Sequence, residues 1–129
     1  MSDDATTVLD AGALIAVERG RTSMQRLLAR ASADGAVVVV PGPVLAQVWR
    51  GGARQALLAR FLNLPFVEVD LLTRGLWLAA GVLCGARGTR DVVDAAVIVC
   101  AQRRGAGAVV TSDPDDLRHL DPDIAYWTP

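Results

Sequence analysis

The chain has 129 residues, 52% of them hydrophobic and 21% charged, with a formal net charge of −1 at pH 7. This length and composition predict a single domain, residues 1–129, and exclude a disordered or fibrous chain. All 13 basic residues are Arg, which excludes P-loop, kinase and Schiff-base sites, because those sites need a lysine. No apolar run is long enough to span a membrane, and Asp3 and Asp4 stand where a secretory signal would carry cations, so we expect a soluble, cytoplasmic protein.

Strands and helices alternate along the chain. In chain order, the sequence predicts strand 7–10, helix 13–17, helix 22–34, strand 37–40, helix 43–50, helix 55–62, strand 66–69, helix 71–83, helix 91–104, strand 108–111, helix 113–119 and strand 124–127. Four consecutive valines form strand 37–40, which is typical of a strand covered on both faces. Helix 71–83 is apolar enough to be largely buried. The alternation predicts an α/β fold, three layers in which a mostly parallel sheet has helices on both faces.

Acidic residues follow several of these strands. Asp10 ends the first strand, Asp113 follows the strand that ends at Thr111, and Asp91 and Asp94 open the long helix. Ligands collect at the carboxyl ends of parallel strands, so we expect these acids to converge there. Asp91 and Asp94 differ by three positions, which places both on one helix face. Each acid also has an ordinary explanation as a helix cap or turn residue, and Asp10 has the weakest one, because an unpaired charge beside an apolar strand is costly to bury.

Converging carboxylates repel one another, and a hard divalent cation such as Mg²⁺ or Mn²⁺ relieves that repulsion. Such an ion polarises a phosphoryl oxygen and activates water, so the pattern indicates hydrolysis of phosphate esters without a protein nucleophile. The single histidine, His119, lies in a polar segment, and we expect it to face solvent rather than join a catalytic triad.

Four segments of the chain carry motifs: VLDAGALIA (8–16), PGPVLAQVWR (41–50), DVVDAAVIVCAQRRG (91–105) and VVTSDPDDL (109–117). Together they resemble the PIN domain, and more narrowly the virulence-associated-protein C (VapC-type) toxins of type II toxin–antitoxin pairs. They follow one another in the family's order over almost the whole chain. The resemblance implies a Mg²⁺- or Mn²⁺-dependent ribonuclease that acts on RNA, forms a homodimer and is silenced by a small antitoxin protein.

By position, the resemblance places the family's acids on Asp10, Asp94 and Asp113, with Asp116 as an occasional extra member. The family commonly has Glu in the helix after the second strand, where this chain has Gln47. An amide can hydrogen-bond a metal-bound water but brings no charge, so we expect weaker cation binding. Our hypothesis is that Asp91, one turn before Asp94, restores the missing charge.

Two pairs of arginines flank the acids. Arg50 and Arg54 follow Gln47, and Arg87 and Arg90 precede Asp91. Guanidinium groups suit phosphate oxygens and can position an RNA backbone, although arginines at solvated helix ends need no such role.

Two alternatives remain at this point. In the first, the chain is a PIN-like binding or regulatory module whose catalysis is weakened, with Gln47 as the trace of that loss. In the second, it is another metal-dependent phosphoesterase on a Rossmann-like sheet, such as a haloacid-dehalogenase-type phosphatase. That class is disfavoured, because it expects Asp-x-Asp after the first strand and a later lysine, whereas this strand ends Asp10-Ala11-Gly12.

Overall fold

The structure, a computed structural model, describes residues 6–129, so Asp3 and Asp4 lie outside the described residues. Five strands form one sheet: β1 (Thr6–Leu9), β2 (Val37–Pro41), β3 (Val67–Asp70), β4 (Ala108–Val110) and β5 (Tyr126–Trp127). The helices of this part of the chain are α1 (Ala11–Glu18), α2 (Thr22–Asp34), α3 (Gly42–Val48), α4 (Ala56–Leu62), α5 (Arg74–Arg87), α6 (Val92–Arg104) and α7 (Pro114–Leu120), and a short 3-10 turn, Ala53–Gln55, precedes α4.

All four strand pairings are parallel, and the strand order is β3-β2-β1-β4-β5. The predicted α/β fold with a mostly parallel sheet flanked by helices is therefore confirmed. β1 lies at the centre, and the chain reverses its direction of travel across the sheet between β1 and β4. In such sheets, ligands bind outside the carboxyl ends of the strands at this reversal. The residues that follow β1 and β4 are therefore the first place to look for a site.

The core lies around β1, β2, β4 and α6. Val38, Val39 and Val40 of β2 are fully buried, as the run of valines predicts. Every residue from Ala95 to Ala101 in α6 is also buried. A helix that is apolar on all sides is stable only inside the protein, so α6 forms a fixed support for the acids at its start.

Helix α5 begins at Arg74, three residues later than predicted. Thr73 caps it, because its Oγ1 accepts a hydrogen bond from the Leu76 backbone nitrogen at 3.2 Å. A threonine in this position ends the preceding loop and starts the helix, so Leu71 lies in the loop and not in the helix.

The predicted burial of this helix is wrong. Leu78 is 59% exposed and Val82 is 73% exposed, and the only buried residues of α5 are Ala80 and Cys84. The apolar residues of α5 therefore divide between an exposed face and a small cluster, in which Ala80 and Cys84 pack with Ala95 and Val99 of α6.

Candidate active site

Asp10 stands at the junction of β1 and α1 as the N-cap residue of that helix. Its Oδ1 accepts a hydrogen bond from the Ala11 backbone nitrogen at 2.7 Å, and its Oδ2 accepts one from Thr111 Oγ1 at 3.0 Å. Burial raises the pKa of Asp10 above its usual value, and the two hydrogen bonds offset only part of this effect. Nearby charges on Asp91 and Asp113 raise the pKa further. Asp10 is therefore a buried carboxyl group that lacks a cationic partner among residues 6–129.

Thr111 connects the two sides of the sheet reversal. It is fully buried at the end of β4, where its hydroxyl donates to Asp10 and accepts a hydrogen bond from the Asp113 backbone nitrogen at 3.0 Å. The Thr111 side chain thus holds the carboxylate of Asp10 and the backbone of Asp113. Sequence reasoning missed the contact of Thr111 with Asp10, although its position at the end of a strand, two residues before Asp113, was a usable signal.

Gly12 allows α1 to approach the loop after β4. A Cβ atom at Gly12 would overlap the Ser112 hydroxyl and lie 2.6 Å from Ser112 Cβ and 3.0 Å from the Ser112 backbone nitrogen. Any larger residue therefore pushes the start of α1 away from this loop. Because Gly12 has no side chain, the start of α1 can lie directly against the loop after β4.

Asp91 is the N-cap residue of α6, and its Oδ1 accepts a hydrogen bond from the Asp94 backbone nitrogen at 3.0 Å. Burial is the largest cause that raises the pKa of Asp94, and together with the charges of Asp91, Asp10 and Asp116 it brings this pKa to about 7. The charges of Asp10, Asp91 and Asp116 thus all act on Asp94, while the convergence of Asp10, Asp91 and Asp94 on one metal ion stays a prediction.

A cavity of about 210 Å³ lies beside these groups, and we call it the acid cavity. Asp91, Asp94 and Asp116 line it together with His119. His119 is exposed, as predicted, but it lies next to the acids, and its Nε2 is 2.9 Å from the Arg87 carbonyl oxygen. Asp113 does not line the acid cavity and interacts with the cluster through Asp10.

The sequence profile of the PIN domain matches residues 7–121, which include every acid of the candidate site. This chain belongs to the PIN domain family. PIN domains are generally nucleases that use divalent metal ions, so the family favours hydrolysis of nucleic acid over the phosphatase alternative. No curated protein is similar enough to count as a relative. None of the helices in residues 6–129 has the length and apolar character needed to cross a membrane.

The donor chemistry of this PIN domain suits a hydrated hard cation. Within residues 6–129, no three Asp, Glu, His or Cys side chains stand in an arrangement that holds a metal ion by themselves. Mg²⁺, however, often binds one or two carboxylates and keeps several waters. Asp94 and its acidic neighbours offer the oxygen ligands that such an ion prefers. Burial and the charges of these neighbours raise the pKa of Asp94, and a cation relieves the repulsion between the carboxylates.

Gln47 does not line the acid cavity. It lies on the wall of another cavity, of about 620 Å³, which we call the arginine cavity because Arg19, Arg50 and Arg54 line it. The structure therefore places Gln47 with the first predicted arginine pair and apart from Asp91, whose proposed compensating role stays a hypothesis.

The second predicted pair, Arg87 and Arg90, lies in and after the last turn of α5, directly before Asp91. Both side chains are exposed. No hydrogen bond or ion pair of either guanidinium group occurs in the described part of the chain. Both groups thus remain open to a ligand from solvent.

Proposed function

We propose that this PIN domain is a Mg²⁺- or Mn²⁺-dependent endoribonuclease that acts in the cytoplasm as the toxin of a type II toxin–antitoxin pair. One observation carries the catalytic part of this proposal: Asp91, Asp94 and Asp116 line one cavity of about 210 Å³. Burial there, together with the charges of Asp91, Asp10 and Asp116, raises the pKa of Asp94 to about 7. A divalent cation at this position offsets the repulsion, polarises a phosphoryl oxygen and lowers the pKa of bound water.

The roles of the acids follow from their places. Asp94 and Asp10 are the most buried of the set and provide the principal oxygen ligands, with Asp113, Asp91 and Asp116 around them as additional ligands or as acceptors for metal-bound water. Thr111 is a positioning residue, because it holds the Asp10 carboxylate and the Asp113 backbone.

The decisive experiment is cleavage of RNA by the purified chain with Mg²⁺ or Mn²⁺ and with EDTA. We expect cleavage only with the metal, and loss of cleavage in Asp94→Asn. The matched control is Asp34→Asn, which removes an exposed acid near the end of α2. Cleavage that persists in EDTA and in Asp94→Asn would contradict the proposal.

The Asp91 and Gln47 hypotheses need separate variants. If Asp91 supplies the charge that Gln47 lacks, Asp91→Ala weakens Mn²⁺ binding in a calorimetric titration. Unchanged Mn²⁺ affinity would remove that idea. Gln47→Glu adds a carboxylate beside the arginine cavity, and a variant with higher metal affinity but no faster cleavage would show that the amide suits the enzyme better than the acid.

For the substrate, Arg50 with Arg54 and Arg87 with Arg90 provide cationic groups on two sides of the acids. Guanidinium groups bind phosphate oxygens of RNA, and the affinity then falls as salt rises. We expect Arg50→Ala and Arg90→Ala both to weaken RNA binding. Unchanged affinity in both variants would count against these contacts.

An apolar groove supports the proposed antitoxin partner. A cavity of about 150 Å³ lies among α1, α2 and α4, where Met24, Leu57 and Phe61 line it together with Arg21 and Arg60. This lining suits a peptide segment with apolar and acidic side chains. Co-purification with the product of the neighbouring reading frame tests the idea, and we expect Leu57→Asp to release that product.

The exposed face of α5 supports the proposed homodimer. Large apolar side chains on one helix remain in contact with water in a single copy, and exposed patches of this kind mark interaction surfaces.

One observation favours a second candidate. Gln47 stands where the PIN resemblance implies a glutamate, and it lies in a cavity separate from the acids. A PIN-like module with weakened catalysis, which binds RNA or a regulator, would explain both facts. RNA binding without metal-dependent cleavage would favour this module over the nuclease.

A further inference from the structure

The arginine cavity opens where the end of α1 faces the connection between α3 and α4. Arg19 comes from the residue after α1, Arg50 from the loop after α3, and Arg54 from the 3-10 turn. Three separate segments thus bring positive charge to one concave surface. The sequence alone suggests Arg50 and Arg54, but Arg19 lies 31 positions before Arg50 and joins them only through the fold.

A second cavity, of about 450 Å³, connects this surface to the strand ends. It shares Ile15 and Arg19 with the arginine cavity and continues to Gly12 and Ser112. Gly12 and Ser112 are the residues that pack together where α1 meets the loop after β4. Arg19 therefore lies between the arginine cavity and the part of the protein that carries the acids.

The arginine cavity has an excess of positive charge. Within residues 6–129, the ion pairs involve Arg104 and Arg118 and none of the three cavity arginines. Glu18 is the acid in its lining, and the Glu18 carboxylate accepts a hydrogen bond from Gln55 Nε2 at 2.5 Å. Three guanidinium groups beside one carboxylate favour an anionic ligand.

Gln55 keeps this surface rigid. It is only 5% exposed, and its Oε1 accepts hydrogen bonds from the backbone nitrogens of Arg50 at 2.7 Å and Gly51 at 2.9 Å. Its Nε2 also donates to the Val48 carbonyl oxygen at 2.8 Å. The Arg50 guanidinium donates to the Ala46 carbonyl oxygen at 3.0 Å, which directs it along the end of α3. A ligand therefore meets an Arg50 guanidinium that is already ordered, which lowers the entropy cost of binding.

We propose that the arginine cavity is a phosphate subsite for the RNA strand outside the bond that is cut, with Arg19 as its central contact. The proposal rests on the ribonuclease function proposed above. Guanidinium groups match the geometry of phosphate oxygens. The second cavity extends from Arg19 to Ser112, the residue directly before Asp113, and gives the RNA strand a path toward the carboxyl ends of the β-strands. An RNA that reaches both places gains affinity from this subsite, whereas a dinucleotide over the acids does not.

The test measures binding of labelled RNA to Arg19→Ala in the Asp94→Asn background, where the RNA stays intact. With an unstructured RNA of about 12 nucleotides, a length within the usual range of single-strand sites, we expect affinity to fall by about fivefold or more and the salt slope of log K to fall by about 0.7. The matched control is Arg103→Ala, which removes an exposed arginine from the end of α6. Binding of a dinucleotide should be the same in both variants.

Each outcome separates this subsite from the nuclease proposal. Equal affinity of Arg19→Ala and Arg103→Ala for the long RNA would overturn the subsite and leave the EDTA experiment untouched. Equal losses with long RNA and dinucleotide would place Arg19 at the bond that is cut and would also overturn it. If the parent chain fails to cleave RNA but Arg19→Ala selectively weakens binding to the long RNA, the subsite is supported and the nuclease proposal is wrong.

Discussion

Thr111 Oγ1 donates a hydrogen bond to Asp10 Oδ2 at 3.0 Å, across 101 positions of the chain. The contact forms because β1 and β4 are neighbours in the sheet, with Leu9 opposite Val110. Each residue then follows its own strand directly, so both reach the same edge of the sheet at the reversal of strand order. The hydroxyl satisfies a buried carboxylate oxygen that would otherwise lose its hydrogen bond to water. The position of the central acid thus depends on the pairing of two distant strands.

Replacing Thr111 by Val tests this dependence. Val keeps the shape of the side chain but removes the donor to Asp10 and the acceptor for the Asp113 backbone nitrogen. We expect cleavage to fall by about tenfold, which corresponds to about 1.4 kcal/mol, and metal affinity to fall with it. Thr7→Val, at the other end of β1, is the control and should cleave normally. Full activity in Thr111→Val would show that the hydroxyl is not needed for positioning.

Gly12→Ala is expected to separate α1 from the loop after β4. The new methyl group would overlap the Ser112 side chain, and overpacking of this kind costs about 1–3 kcal/mol. We expect a lower melting temperature and slower cleavage. Ser112→Gly in the same chain removes the overlapping atoms and should restore part of both. Failure of this second substitution to restore anything would show that the overlap with Ser112 is not the cause.

Asp94→Asn should stabilise the metal-free chain at neutral and higher pH. The pKa of Asp94 is about 7, above the value of 3.8 for a free carboxyl group, so the folded chain holds this proton more tightly than the unfolded chain does. The stability of the parent therefore falls as the pH rises from about 4 to about 8. We expect thermal unfolding in EDTA to show the Asp94→Asn variant melting above the parent at pH 8 and much closer to it at pH 5. With Mn²⁺ present, the order should reverse. If the parent unfolds at a higher temperature than Asp94→Asn in EDTA at pH 8, the proposed repulsion between the carboxylates is contradicted.

Asp70 should stabilise the folded chain more as the pH rises, which is the opposite of the effect of Asp94. Burial raises its pKa, but hydrogen bonds from Arg104, Leu72 and Cys100 outweigh that effect, so its pKa lies below 3.8. Arg104 Nε is 2.8 Å from Asp70 Oδ2, and this pair lies at the end of the edge strand β3. Its contribution is therefore present above about pH 4 and is lost as the pH falls through the folded-state pKa.

The measurement is the free energy of unfolding of Asp70→Asn and of the parent from denaturant titrations. We expect a deficit of about 1–2 kcal/mol at neutral pH, which shrinks below about pH 4. Asp123→Asn, at an exposed position after α7, serves as the control and should match the parent throughout. A deficit for Asp70→Asn that does not change with pH would show that packing matters and the carboxylate charge does not.

The fold was predictable because its signals are local. The run of valines predicts the strand β2, and the capped apolar segment predicts the helix α6. Strands that alternate with helices then permit few arrangements of a sheet. The places of three acids in the fold were predictable for the same reason, since Asp10 and Asp113 follow strands and Asp91 caps a helix. Their joint role at a metal stays a prediction, and the contact between Asp10 and Thr111 depends on which strands are neighbours.

Other features could not be obtained from local pattern. Leu78 and Val82 have the same hydrophobicity whether they face a core or solvent, so composition alone gave the wrong burial for α5. Arg19 and Gln55 belong to segments that meet only after folding. Gln55 in particular looks like an ordinary polar residue at a helix start, and its four hydrogen bonds depend on the loop that the chain folds around it.

Leu78→Asp and Val82→Asp test whether the exposed face of α5 joins two copies of the chain. Both side chains are more than half exposed in one copy, so a charge there has little effect on the fold of that copy but is costly in an apolar interface. We expect light scattering to show a dimer for the parent and a monomer for each variant, with unchanged circular dichroism. Ala33→Asp, which adds the same charge to an exposed position of α2, should remain dimeric. A parent that is monomeric at every concentration, or Asp variants that dimerise as tightly as the parent, would exclude this face as the dimer interface.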